Sequence, residues 1–541
     1  MSKHLNIADL FEIVADTVPD REAVIHDRQR VSYAELERRA NRLAHFLRGR
    51  GVGPGDHVAL YLYNCNEYLE AMLACFKIRA VPVNVNYRYV QDELHYVFDN
   101  ADAVACIHHR EFVPHIADIQ HRLPKLSCLV SVEDGSDHDP ADVDSVPYAQ
   151  ALAGQSDARD FDERSGDDLF VLYTGGTTGM PKGVMWPHRN LLYAALGGGG
   201  HFSPLGPIEQ AEDIASRISE TAIAGIALAP LMHGASWWFA CIMLLSGNKL
   251  VLNHHRHFDG EQIWDIVARE RVNAVQIVGD AMAIPLLDAL DANPGRWDLS
   301  ALFNVGSGGA VFSEAKQEEF KAHFPNVFIT NSFGSSEGGQ MGMAGERRSE
   351  DGLGNVARSD DMDVIVPGNP PRHARPGEVG EFARSGHIPT GYYNDPEKTA
   401  ETFVEVEGRT WLLTGDEARL EEDGSITVHG RGSNCINSGG EKIYPEEVEQ
   451  ALKTHPDVFD ALVVGTPDER WGSMVVAVIS VRPGGNRPTL AALQEQARQH
   501  IAGYKLPRAL HIVDEIPRAP SGKPNYAAAL EMAESGRYQA D

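Results

Sequence analysis

An apolar run that stops abruptly in glycines and hydroxyls sets the tightest constraint on this chain. Leu169-Phe170-Val171-Leu172-Tyr173 carries a β-branched residue and two aromatics and reads as a buried strand. Directly after it come Thr174-Gly175-Gly176-Thr177-Thr178-Gly179-Met180-Pro181-Lys182-Gly183. Such a loop offers successive backbone N–H groups, hydroxyl donors and one fixed cation to a polyphosphate. The pattern is not the P-loop, which sets its lysine after a glycine and before a Ser or Thr that opens a helix. Here Pro181 precedes Lys182 and Gly183 follows it, so the lysine is expected on an extended segment. Most Gly/Thr-rich stretches are plain surface loops. Hydroxyls between paired glycines, a lone lysine and a strand just before them favour phosphate.

The length, 541 residues, exceeds one ordinary domain and suggests about two to four. Hydrophobic residues make up 43% and charged residues 23%, the balance of an ordinary globular chain. The 48 basic residues face 77 acidic ones, a formal net charge of -29, which argues against nucleic acid or an anionic membrane as a general partner. Six cysteines are scattered without CxxC spacing, so no disulfide framework or zinc knuckle is expected, and a reducing compartment is. The amino terminus lacks a signal-peptide core. The most apolar window, around Ala235 to Ser246, falls short of the ~20 residues of a spanning helix. The expectation is a cytoplasmic protein with no transmembrane segment.

From Asn6 to Ile107 strands and helices alternate. Leu36, Ala40, Leu43, Phe46 and Leu47 have helical spacing; Val58–Tyr63 reads as a buried strand, Tyr68–Ile78 as a helix, and Ala80–Val85 as a strand that Pro82 places at an edge. Alternation of this kind implies a mostly parallel sheet with helices on both faces. Asp134–Asp167 is polar, acidic and rich in Asp and Ser, and reads as a loop or a weakly structured connection. His254, His255 and His257 lack a paired carboxylate or an HExxH arrangement, so they read as exposed polar residues and no metal is assigned there. Val275–Asp280 and Leu302–Val305 read as further strands, each ending in a glycine turn where an open α/β sheet places its ligands. Around Asp416–Gly432 short β-rich runs replace the alternation, and a small α+β segment of roughly 110 residues closes the chain.

Tyr173–Gly183 closely resembles the signature of the adenylate-forming superfamily, which holds acyl-CoA synthetases, luciferases and peptide-synthetase adenylation domains. Most members have Ser where Gly175 stands; the hydroxyls of Thr174, Thr177 and Thr178 remain. Other segments follow in family order. Asn331-Ser332-Phe333-Gly334-Ser335-Ser336-Glu337 resembles the segment in which an aromatic faces adenine and a glutamate binds Mg²⁺, a role that suits a hard carboxylate. Ser307-Gly308-Gly309-Ala310 resembles the adenine wall, and Trp411–Asp416 the ribose segment, with Arg431 adding a cation. Arg518–Pro524 resembles the loop of the catalytic lysine, here Lys523, which bridges the acyl carboxylate and the α-phosphate. Taken alone, each of these segments is more often a plain turn or a solvated surface residue; their order together is what carries the resemblance.

Gly430–Glu449 resembles the inter-domain hinge and the loop after it, with Ser433 where Asp or Lys is common and Asn437 where many members have Lys. Ser438-Gly439-Gly440 would line the thiol tunnel. His233 matches the gating position beside the reacting carboxylate, against the alternative of a buried structural histidine. Trp237, Trp238 and Val278 line either an apolar acyl pocket or the core, and Asp280 is a carboxylate where the family is largely apolar. The wording of 278–287 and 435–449 looks like an actinobacterial subgroup of acyl-CoA synthetases tied to lipid and sterol side-chain degradation.

The resemblance implies an α/β fold: a large multi-layer N-terminal domain of mixed sheets and helices (1–430), a hinge (431–434) and a small mobile α+β C-terminal domain (435–541). The implied catalytic groups are Lys523, Glu337, Thr177 and His233. Thr174, Gly175, Gly176, Thr178, Gly179, Lys182, Gly308, Gly309, Ala310, Ser332, Phe333, Gly334, Ser336, Asp416, Arg431, Ser438, Gly439 and Gly440 would bind ATP and coenzyme A. The implied reaction joins a carboxylic acid to ATP, releasing pyrophosphate, and then lets the CoA thiol displace AMP from acyl-AMP. A carrier-protein acyl-AMP ligase, a luciferase-like oxidase and a non-catalytic acyl-nucleotide sensor stay open, as does a homodimer.

Overall fold

In a computed structural model of the chain, residues 5–175, 180–200, 205–309, 312, 314–343, 354–431, 436–443, 445–482, 484–517 and 526–535 are described. The chain divides into two compact units: Met1–Tyr87 with Phe98–Tyr173 and Gly183–Gly430, and Arg88–Val97 with Thr174–Lys182 and Arg431–Asp541.

Local chemistry sets the helices of the first unit. Asn6 accepts the N–H of Ala8 at the start of Ile7–Thr17, and the Ser32 hydroxyl accepts that of Glu35 at the start of Tyr33–Gly49. The second helix buries Leu36, Ala40, Leu43, Phe46 and Leu47, the stripe its spacing predicts.

These helices pack on two large sheets. A seven-stranded sheet runs in the order Val146–Pro147, Cys128–Val132, Ala103–His109, His57–Tyr61, Val81–Asn84, Leu169–Gly175, Pro181–Pro187. An eight-stranded sheet runs in the order Gly339–Met343, Phe328–Ser335, Asn304–Gly308, Ala274–Ile277, Ala224–Ala227, Lys249–Leu252, Glu22–His26, Gln29–Ser32, antiparallel only at its two ends. Strands such as His57–Tyr61 are buried throughout, as parallel strands covered on both faces are. A third sheet, antiparallel, takes Gly354–Ala357, Met362–Val366, Arg372–His373, Val379–Ser385, Phe403–Val406, Arg409–Leu420 and Ser425–Arg431.

In the second unit the antiparallel strands Val458–Asp468 and Gly472–Val481 pair with each other, and Ala509–Val513 adds in parallel. Helices Pro445–Lys453, Leu490–Ala497 and Tyr526–Glu534 accompany them. The α/β fold class, with a large N-terminal part and a smaller α+β C-terminal part, is borne out. Among the described residues no helix is long and apolar enough to cross a membrane.

Three readings are corrected. Val81–Asn84 is an inner strand, between His57–Tyr61 and Leu169–Gly175. Pro82 fits there because the N–H groups of Val81 and Val85 serve the His57–Tyr61 side, while toward Leu169–Gly175 only Val83 pairs, with Val171. Asp134–Asp167 is more than a loop, since it holds Val146–Pro147 in the sheet and a short helix, Tyr148–Leu152. Ion pairs tie its end down: Arg159 bonds Asp16 at 2.7 and 2.9 Å and Glu37 at 2.8 Å, and isolated arginines leave no periodic signal. The β-rich region begins at Gly354, well before Asp416, and is interrupted by one short helix, Pro396–Thr402.

Candidate active site

The strand Leu169–Gly175 delivers the phosphate loop, and a buried amide fixes its end. Asn84, 6% exposed, accepts the N–H of Tyr173 at 2.7 Å and donates to the carbonyls of Tyr173 at 3.0 Å and Met232 at 2.7 Å. One side chain therefore uses both of its donors and its carbonyl oxygen to join the residue before Thr174 to the residue before His233. His233 is half-buried and caps the helix Gly234–Leu245, so the reading of a buried core histidine does not hold. Lys182 is the second residue of the strand Pro181–Pro187, extended as expected.

The carboxyl ends of three neighbouring parallel strands bring the adenine segments together. Ile277 lies beside Ser307, Ser307 beside Asn331 and Gly308 beside Ser332. The Ser332 hydroxyl donates to Ser307 O at 3.1 Å, and the Ser307 hydroxyl accepts from Gly279 N at 3.0 Å. Ser307 and Gly308 end a strand rather than form a turn. Phe333 turns its ring against Phe382, centroids 5.6 Å apart, so part of its surface packs on the third sheet. Gly334 is obligatory, because a Cβ there would run into the carbonyl oxygen of Gly339.

Glu337 stands in the turn between Phe328–Ser335 and Gly339–Met343. Four side chains hold that turn. The Ser335 hydroxyl accepts from Gly338 N at 2.8 Å, and the buried Trp186 indole donates to Ser336 O at 2.9 Å. Arg384 donates to Gly338 O and, at 2.9 Å, to Gln340 O. The Tyr392 hydroxyl donates to Glu337 Oε1 at 3.2 Å, leaving Oε2 of a half-buried carboxylate for another partner. Among the described residues no three His, Cys, Asp or Glu side chains converge to hold a metal. A lone hard carboxylate suits Mg²⁺ that arrives with phosphate oxygens and water as its other ligands.

Asp416 is 8% exposed in the strand Arg409–Leu420, and its N–H donates to the Thr414 hydroxyl at 3.2 Å. That hydroxyl in turn donates to Phe382 O at 2.9 Å. Phe382 thus links the ribose segment through its carbonyl to the adenine segment through its ring. Burial, with a contribution from Asp416, pushes the Glu381 carboxyl up.

Not every expected residue converges. Trp237 belongs to the core, its ring among Tyr68, Phe76 and Phe170, while Trp238 is half-buried against the same core. Val278 stands beside Gly309, 3.9 Å from where a Cβ would be. Asp280 opens the helix Asp280–Ala292 and Arg431 ends the strand Ser425–Arg431; their side chains lie outside what is described, as do Gly176, Thr177, Thr178, Gly179, Ala310, Lys523 and the hinge residues 432–434. The His254 ring lies tilted at 38° to that of His255, centroids 4.1 Å apart, and is half-buried rather than exposed.

In the second unit Ser438 is buried and Asn437 exposed. Gly439 has φ +60 and donates its N–H to Trp471 O at 2.8 Å; a side chain there would strike the indole. Arg508 and Arg470 lie 4.1 and 4.8 Å from the Trp471 ring. Burial, and then the charge of Arg470, lowers the pKa of Arg508.

Asn84, Trp186, Arg384 and Tyr392 escaped the sequence reading. Asn84 does leave a trace, a polar residue ending the apolar Val81–Val83 run. Arg384 and Tyr392 are single polar residues in a strand and a turn, and only the third sheet's approach to Glu337 makes them matter.

Glycine- and hydroxyl-bearing segments at the carboxyl ends of parallel strands, beside a held carboxylate, are the arrangement expected of a nucleotide site in an open α/β sheet. The chain belongs to the AMP-binding enzyme family: the model of that family matches residues 11–393, and the model of the AMP-binding enzyme C-terminal domain matches 447–523. It is 47% identical over 536 residues to the 3-oxocholest-4-en-26-oate--CoA ligase of Rhodococcus rhodochrous, covering 98% of this chain and 96% of that one. It is 45% identical over 545 residues to a medium/long-chain-fatty-acid--CoA/3-oxocholest-4-en-26-oate--CoA ligase of Mycobacterium tuberculosis, with 99% and 97% covered. Among solved structures, the amide bond synthetase McbA of Marinactinospora thermotolerans superposes with a TM-score of 0.78 at 24% identity, over 96% of this chain and 99% of that one.

Proposed function

We infer that this chain is an ATP-dependent acyl-CoA synthetase acting on a fatty acid or a sterol side-chain acid. The observation that carries this reading is the held carboxylate of Glu337, set beyond the carboxyl end of a parallel strand beside the adenine and ribose segments. The names of the relatives, CoA ligases at 45% and 47% identity along nearly the whole chain, support both the reaction and the class of acid.

The substrates are the acid, ATP as its magnesium complex, and CoA. Glu337 Oε2 would ligate the magnesium, which neutralises phosphate charge when bound. Gly308, Gly309 and Ala310 would flank adenine with Ser332, Phe333 and Gly334; Asp416 would accept the ribose hydroxyls, and Arg431 would add charge beside them. Thr174, Thr177, Thr178 and Lys182 would hold the phosphates. His233, at the tip of its helix, would face the attacking carboxylate, and Lys523 would bridge that carboxylate to the α-phosphate. Attack on phosphorus joins two anions, so positioned cations and donors carry the step and no side-chain nucleophile is needed. In the second step the thiol attacks the acyl carbon and AMP leaves; Ser438, Gly439 and Gly440 would line its path. We take 431–434 as the hinge between a domain ending at 430 and a mobile one from 435. A cytoplasmic setting agrees with the buried, free Cys65, Cys75, Cys106, Cys128 and Cys241.

The test is a panel of acids, from short to long fatty acids, aryl acids and sterol side-chain acids, assayed for AMP release with and without CoA. Release that needs CoA and is fastest with long-chain or sterol acids is expected. Pyrophosphate formation indifferent to CoA would move the thiol acceptor to a carrier protein. Preference for aryl acids would overturn the substrate class.

A further inference from the structure

The strand Val379–Ser385 sends alternate side chains toward the Glu337 hairpin. Phe382 meets Phe333, and two residues on, the same face sends Arg384 to the carbonyls of Gly338 and Gln340. Arg384 is 4% exposed, and its Nε is buried without a hydrogen-bond partner. Among the described residues it makes no ion pair. Asp361, whose charge reaches it, is paired with Arg409 at 2.6 Å, and burial lowers the Arg384 pKa to about 10. A guanidinium buried on neutral carbonyls is a costly way to join two sheets, since a hydroxyl or amide could serve the same oxygens without desolvating a charge. What sets this place apart is the residue between its anchors: Gly338 O directly follows Glu337, and the charge lies under the turn that presents that carboxylate.

We propose that Arg384 is the positioning residue of the Glu337 carboxylate, clamping the carbonyls of Gly338 and Gln340 so that Glu337, steered by the Tyr392 hydroxyl, meets the metal of the nucleotide complex. The proposal rests on the reading of Glu337 as the metal-binding carboxylate. Arg384 touches neither metal nor substrate. It fixes the backbone on which Glu337 turns, and Tyr392 selects the oxygen that stays open.

The test is a titration of Mn²⁺ into the full chain with a non-hydrolysable ATP analogue, following the free Mn²⁺ signal by electron paramagnetic resonance, alongside thermal melting. Glu337→Gln, Arg384→Lys, Arg384→Gln and the double variant E337Q/R384K are compared with the unaltered protein. Loss of a partner that orients a metal ligand typically weakens affinity about 10- to 100-fold, so R384K is expected to lose at least about tenfold while still melting cooperatively. In the E337Q background R384K is expected to add nothing, because the two act through one carboxylate. In steady-state assays the KM for the metal–nucleotide complex rises and that for the acid stays within about twofold. R384Q, which keeps a donor without the charge, stands in if R384K does not fold. If E337Q weakens Mn²⁺ and the folded Arg384 variants do not, the positioning role is overturned and the Glu337 reading survives. If E337Q leaves Mn²⁺ binding unchanged, both fall.

Discussion

Asn84 gives the sharpest mutational test, because one amide ties two parts of the site together. It accepts from Tyr173 N at 2.7 Å and donates to Tyr173 O at 3.0 Å and Met232 O at 2.7 Å, all out of contact with water. Asn84→Ala removes these bonds and leaves a buried N–H and two carbonyls to find other partners. With each net bond worth ~1 kcal/mol and an orphaned group ~1–3 kcal/mol, the first unit should lose on the order of 3 kcal/mol. The N84D variant separates geometry from chemistry. It keeps the acceptor for Tyr173 N–H but turns an oxygen on Met232 O, so it should be at least as damaging despite equal size. Denaturant unfolding followed by tryptophan fluorescence reads the stability. Acid-dependent exchange of pyrophosphate into ATP reads the site, where KM should rise for acid and ATP together, since both segments hang on the same amide. A loss below about 0.5 kcal/mol for N84A, or a D variant milder than the A variant, would refute the clamp.

His188 is fully buried, accepts the N–H of Ile7 at its Nδ1 at 3.2 Å, and burial lowers its pKa from 6.5 to about 4. The unfolded chain binds this proton first, so the first unit should lose stability as pH falls from 6.5 toward 4; H188N should flatten that slope in urea unfolding, and an unchanged slope would exclude His188 as its source. Arg508→Ala removes a cation stacked on Trp471 beside Gly439; a loss of ~1 kcal/mol would raise the KM for CoA about fivefold and leave pyrophosphate exchange unchanged. Lys523→Ala should abolish adenylation while sparing thioester formation from supplied acyl-AMP, whereas equal loss of both half-reactions would refute its assignment to the first.

Much of the fold was legible wherever periodicity and turn chemistry agree. Leu36 to Leu47 gave a helix in register, and Val58 to Tyr61 gave a strand buried on both faces. Pro82 misled because a missing N–H marks an edge only when a neighbour needs it, and here that neighbour pairs at one residue. The tie of Arg159 to the first two helices was invisible because it finds Asp16 and Glu37 through the fold, not through spacing. The nucleotide segments were legible as ordered motifs, since Gly334 and Gly439 leave a trace wherever backbone needs room. What holds those segments was not: Asn84, Arg384 and Tyr392 act across sheets, and Phe333 spends part of its ring on Phe382.

The most direct single measurement is product stoichiometry from a sterol side-chain acid, ATP and CoA with the purified chain, by mass spectrometry and nucleotide chromatography. Equal amounts of acyl-CoA thioester, AMP and pyrophosphate, none formed without the acid, are expected. ADP and phosphate in place of AMP, or AMP and pyrophosphate released with no thioester while CoA is present, would contradict an acyl-CoA synthetase working through acyl-AMP.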